Sequence, residues 1–175
     1  MSSLTDRMMR AARLDVDLYE EVEADQGAMG QAVTAVVLSS AAAGVATIAA
    51  TGVSGMVLGT IGALLGWLVW AYLTYLIGTR ILPEPQTKAD VGELMRTLAF
   101  ASSPGVIRVV GIVPGLMRLS FFVAGVWMFV AMVIAVRQAL DYTSTVRAAG
   151  VCLIGFLVQV VILAVVFAAL GGPGG

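Results

Sequence analysis

Arg108 is the charged side chain whose position asks most of its surroundings. It lies near the middle of an apolar stretch, Leu98 to Met117, where a cation costs about 2.5–3.5 kcal/mol to insert into a bilayer. Ionisable groups at such depth mark transport paths, headgroup contacts or relays unless the protein satisfies them internally. No Asp or Glu occurs within any apolar stretch to pair with it. Pro104 removes the hydrogen bond normally given to the carbonyl of Phe100. That carbonyl, with Ser102, Ser103 and Gln159, is the expected polar knot around the guanidinium. Two roles stay open for Arg108: satisfying a broken helix, or holding a substrate or lipid headgroup.

The remaining reactive inventory is thin. With no histidine in 175 residues, the commonest metal ligand and the commonest base near neutral pH are both missing. Cys152, the single cysteine, sits in an apolar run with no cation or base near it in sequence, and reads as a small hydrophobe. No catalytic, cofactor-binding or metal-binding residues are expected. A net charge of −1 gives no footprint for nucleic acid.

The elements that position Arg108 belong to a membrane. Hydrophobic residues make up 59% of the chain and charged residues 12%, about half the charge of a typical soluble domain. Mean hydropathy is +0.97. A spanning helix needs about 20 apolar residues, and five stretches qualify or nearly do: 32–50, 53–77, 98–117, 119–136 and 148–170. The third, broken by Pro104 and Pro114, has a re-entrant alternative in which its backbone is satisfied by packed protein. The expected class is an all-α five-span bundle over residues 32–170, after a cytoplasmic arm over 1–31 and before a short tail over 171–175.

Charge placement supports that count. With five spans and an inner N-terminus, Arg7, Arg10, Arg13, Arg80, Lys88, Arg96, Arg137 and Arg147 all fall inside. Only Arg118 falls outside. This is the asymmetry that the positive-inside rule describes. A four-span chain would move Arg137 and Arg147 to the outer side. Trp67, Trp70, Tyr72 and Tyr75 gather before Arg80, where an aromatic girdle or core packing would both place them.

Helices associate in lipid through close backbone approach. Gly55, Gly59, Gly62 and Gly66 fall on one face of the second span. Ala35, Ser39, Ala42, Ala46 and Ala49 repeat the same spacing in the first. The turn between the spans is short, so the expectation is a tight antiparallel hairpin through these two faces. A homo-oligomer interface through the glycine face is the alternative.

Outside the spans, Met1 to Gln31 has no continuous apolar core and is expected to stay on the mature chain rather than act as a signal peptide. Ser3 and Asp6 resemble a capping box, and Leu4, Met8, Ala11, Leu14, Leu18 and Val22 suggest an amphipathic helix. Its basic turns suit anionic lipid. Its acidic half suits another protein, and a solvated arm remains open. Pro83-Glu84-Pro85 stops the second span, and Thr87 and Asp90 then cap a new helix.

Several of these segments resemble the Yip family (Ypt/Rab-interacting membrane proteins), in particular its small bacterial branch. They are Leu64-Leu65-Gly66-Trp67, the run from Tyr75 to Arg80, Phe100 to Gly105, and Val136 to Tyr142 with Thr143 and Arg147. The likeness extends over Val33 to Val166. It implies a five-span bundle with a cytoplasmic N-terminus. In eukaryotic relatives it implies organisation of membrane traffic through lipidated small GTPases, a role that bacteria have no comparable traffic to use.

Two functional expectations follow. The first is a non-catalytic scaffold or adaptor in a bacterial cytoplasmic membrane, touching lipid, another membrane protein or a second copy of itself. An accessory subunit of a larger membrane complex is a variant of this. The second is a small channel or carrier for an anion or lipid, using Arg108.

Overall fold

A computed structural model describes residues 2–169, and every regular element in that range is helical. In order these are α1 (Leu4–Ala12), α2 (Val16–Ala24), a 3-10 turn (Gln26–Ala28), α3 (Met29–Leu76) and a π turn (Ile77–Ile81). Then come α4 (Val91–Ala101), a 3-10 rod (Ser103–Ile112), α5 (Met117–Ala139) and α6 (Thr145–Ala169). The tail expected at 171–175 lies outside the described residues. Among the described residues, three helical stretches are long and apolar enough to cross a membrane: Gln26–Ile81, Met117–Ala139 and Thr145–Val166.

The first of these is doubled. Gly52 adopts φ 68° and ψ −177° inside α3, a backbone state that costs L residues a steric clash and glycine nothing. Helix precedes and follows it, and the chain folds back there. Gly44 consequently lies against Met56, residues that a straight helix would hold about 18 Å apart. Residues 29–51 and 53–76 are thus two antiparallel limbs.

The hairpin contact differs from the one expected. Nothing stands within 4 Å of where a side chain would begin at Gly59 or Gly62, and Gly55 is crowded only by Thr51, the last residue of the first limb before the turn. The middle of the glycine face is turned to open space, and Gly66 at its far end meets Gln159. On the first limb, Ser39, Ala42 and Ala46 are buried, but Ser39 and Ala46 meet the 3-10 rod. A Cβ on Gly105 would overlap Ser39 Oγ, and one on Gly111 would lie 3.2 Å from the Ala46 Cβ. Ser39 and Ala46 thus face the third segment rather than the second.

That third segment is not one α-helix. α4 ends at Ala101, and Pro104 enters the first turn of a ten-residue 3-10 rod rich in β-branched residues. Such rods rarely exceed three or four residues. Its winding has a geometric effect: side chains three apart eclipse, so Gly105, Arg108 and Gly111 stack on one face. In an α-helix they would fan out by about 60° per step. The rod runs beside the first limb in the same direction, with Gly105 at Ser39 and Gly111 at Ala46.

At one end the helices show exposed apolar side chains, among them Leu58, Ile112, Phe122 and Val161. The other end is a packed head of α1, α2, α4 and the adjoining ends of α3, α5 and α6. The N-terminal arm forms two helices there, not one amphipathic helix. Ser3 caps α1 by accepting from the Asp6 backbone N–H, and Asp15 caps α2. α1 ends with Leu14 in the left-handed region (φ 62°), while Asp15 N–H reaches back to the Arg10 carbonyl. The apolar face that suited a membrane surface is spent on protein: Ala11, Leu18 and Val22 pack with Ala32, Ala99 and Phe100.

These contacts make a direct test. Gly105→Leu crowds Ser39, Arg108 and Met128 together and should cost about 1–3 kcal/mol through overpacking. Gly59→Ala has free space and should leave thermal unfolding in detergent unchanged. Equal tolerance of both substitutions would contradict the packing of the rod.

Candidate functional site

Arg108 lies on the wall of a groove of about 740 Å³ between the two limbs of α3, α5 and α6. Gly55, Gly59, Gly62 and Gly66 form one side, and Phe121, Met128, Phe129, Phe156 and Leu163 form much of the other. Polar groups are few and concentrated around the guanidinium. Its Nε donates to the Gly105 carbonyl at 2.9 Å, and its Nη2 donates to Ser39 Oγ at 2.8 Å and to the Ser39 carbonyl at 3.1 Å. Ser39 Oγ in turn donates to the Ser102 carbonyl at 2.8 Å. The Phe121 ring lies 5.9 Å from the guanidinium carbon, within cation–π range.

The polar knot therefore forms with a different membership from the one expected. Pro104 does break the α-helical ladder, but the carbonyls that accept from Arg108 are those of Gly105 and Ser39. Ser102 enters through its carbonyl, whereas Ser103 Oγ is buried without a partner. Gln159 stands apart, its amide donating to the Gly66 carbonyl at 3.4 Å. Arg108 Nη1 has no protein acceptor, and no carboxylate pairs with Arg108 among the described residues.

A second polar centre, at the head, was not anticipated. Glu84, between the two prolines, is buried and gathers the α5–α6 loop. Its carboxylate accepts from the Thr143 N–H (2.9 Å), Thr143 Oγ1 (2.7 Å), Gln86 Nε2 (2.7 Å) and the Ser144 N–H (3.3 Å), with Arg147 Nε at 3.7 Å. These donors hold its carboxyl at about 2. Tyr142 Oη reaches the carbonyls of Gly78 and Leu82, the first of which belongs to the π turn. Asp141, in the left-handed region at φ 53°, closes α5 so that Tyr142 and Thr143 face this loop. The two conspicuous sequence runs at 75–80 and 136–147 thus meet. The Pro-Glu-Pro signal predicted only a helix stop; the acceptor role of Glu84 depends on loops distant in sequence.

The N-terminal arm is fastened by a third set. Arg7, 3% exposed, donates to Glu21, Asp25 and Gln31. Arg96 Nε donates to the Val22 carbonyl at 2.8 Å, and Arg96 also contacts the Glu23 carbonyl. Trp127 Nε1 donates to the Ala12 carbonyl at 2.8 Å, and Gln138 bridges to Glu20. Beside this seam lies an acidic cleft lined by Glu20, Glu23, Glu93 and Asp141, with Arg137 and Tyr142. Burial, then the charges of Glu93, Asp141 and Glu20, push the Glu23 carboxyl up to about 7 against the pull of Arg96.

Exposed apolar helices, an apolar groove with a lone cation and a polar head at one end define a multi-pass helical membrane protein. The chain belongs to the Yip1 domain family, which it matches over residues 17–168. No curated protein and no solved structure matches it.

The shifted carboxyls set opposite pH trends. Glu23 has a raised value in the folded chain, so its contribution to docking is greatest below about 4.5 and is lost as pH rises through about 7. Glu21 and Glu84, both near 2, contribute fully above about 4.5 and lose that contribution as pH falls towards 2. Protease resistance of the N-terminal arm should therefore fall between about pH 5 and pH 8. Glu23→Gln should flatten that dependence, while Arg7→Met should loosen the arm throughout by about 2 kcal/mol. A flat profile in the native chain would refute the assignment to Glu23.

Proposed function

We propose that this chain is a non-catalytic scaffold or adaptor of the Yip type, resident in the cytoplasmic membrane of a bacterium. It acts by contact with a second membrane protein or another copy of itself, including as an accessory subunit of a larger complex. The observation that carries this reading is the head. α1 and α2 are clamped to α4 and α5 through Arg7, Arg96 and Trp127, which gives the bundle a shaped polar surface at one end.

The proposed topology is five crossings, with an arm over 1–31 inside and a bundle over 32–170. Support for the third crossing comes from the 3-10 rod, which accompanies the first limb from Ser39 to Ala46. An inner N-terminus is favoured because Arg7, Arg80, Arg96, Arg137 and Arg147 all belong to the head end, while Arg118 begins α5 at the other. The eukaryotic GTPase role is not part of this proposal.

Single cysteines at Thr51 and at Thr143, each in a Cys152→Ala background, should label from opposite sides of the membrane. Labelling from one side would refute five crossings. A tagged copy taken from its native membrane in gentle detergent should retain a stoichiometric partner or itself. In liposomes the native chain and Arg108→Leu should both stay at background flux for small anions. Flux in the native chain that the substitution abolishes would replace the scaffold with the carrier.

A further inference from the structure

We propose that the groove between α3, α5 and α6 is a binding site for one anionic phospholipid, whose phosphate pairs with Arg108 and whose acyl chain lies along the glycine wall. This site stands independently of any protein partner.

Four observations carry it. The guanidinium is the groove's one charged group and has no carboxylate partner, while Nη1 has no protein acceptor among the described residues. Ser39, Gly105 and Phe121 fix its other donors and its plane, so the free edge is oriented before a ligand arrives. A planar cation held this way matches phosphate oxygens. Chemistry at this position calls for an anion.

The rest of the groove calls for a chain. Away from Arg108, Ser39, Ser40 and Ser102, its lining is mainly apolar. Gly59 and Gly62 leave open space where side chains would stand, and 740 Å³ lies within the usual range for an organic ligand. Phe156, Val160 and Leu163 both line the groove and present exposed surface, so it opens onto the lipid-facing side of α6. A free inorganic anion would leave these surfaces uncovered.

Depth is compatible with a lipid from the head-end leaflet. Ser39 is about 20 Å of helix from the turn at Gly52, against a hydrocarbon thickness of about 30 Å. At the same level the polar arm has arrived. Met128 Sδ lies beside Gly105, and the adjacent Trp127 indole donates to the Ala12 carbonyl. A phosphate at Arg108 therefore stands near backbone and serine dipoles rather than in bare hydrocarbon.

The test uses the full chain in nanodiscs of phosphatidylcholine doped with chain-brominated lipid. Trp67 and Trp70 line the groove and report occupancy through quenching; a Trp127→Phe background removes the third indole. Brominated phosphatidylglycerol should quench with a preference of about fivefold over brominated phosphatidylcholine, the scale of one basic residue's attraction to an anionic lipid. Arg108→Lys should keep that preference and Arg108→Gln should lose it. Gly62→Leu, which has room to fold, should reduce quenching by both lipids by filling the groove. It carries the test if Arg108→Gln fails to fold. Added inorganic phosphate should displace nothing. Equal quenching by the two lipids, a preference that survives both Arg108→Gln and Gly62→Leu, or displacement by free phosphate would each overturn the proposal.

Discussion

The seam between the first limb of α3 and the 3-10 rod sets the conditions for everything around it. Two glycines flank one arginine on a single eclipsed face, and that face lies against Ser39 and Ala46. Without side chains at 105 and 111 the backbones come close enough for Ser39 to serve as donor and acceptor at once. A half-buried cation that would otherwise be a heavy penalty becomes a tie between segments far apart in the chain. Because this seam occupies the small face of the first limb, Gly59 and Gly62 of the second limb have nothing to pack against. The groove is a consequence of that choice of partner.

The head shows a different economy of the same kind. Its helices are short, and none would persist alone in water. Their order comes from specific charge-assisted bonds: Arg7 to two carboxylates, Arg96 to carbonyls at the end of α2, and Glu84 to the start of α6. Three acidic residues of the arm, Asp15, Glu21 and Asp25, are internal counter-ions to Arg7 and Arg10. Glu23 is different, enclosed among other carboxylates with Arg96 to offset them.

Much of this was legible in the sequence and some of it was not, for definite reasons. The class follows from long apolar runs and sparse charge. Arg108 stood out because a lone cation in an apolar run has few explanations. Its partners did not, since a glycine carbonyl three residues back and a serine on another segment leave no periodic trace. The glycine spacing predicts one face, but spacing says which residues align and not what they face. The 3-10 winding is hardest of all to foresee. Pro104 and the β-branched residues after it disfavour an α-helix without naming the alternative.

That winding also fixes a length. At about 2.0 Å per residue the rod's ten residues extend about 20 Å, whereas an α-helix of the same residues would extend about 15 Å. Overwound as it is, the segment works as a stretched tether between α4 and the turn before α5. Any event that let it relax would draw those two anchor points together by about 5 Å and swing Gly111 out of line with Gly105.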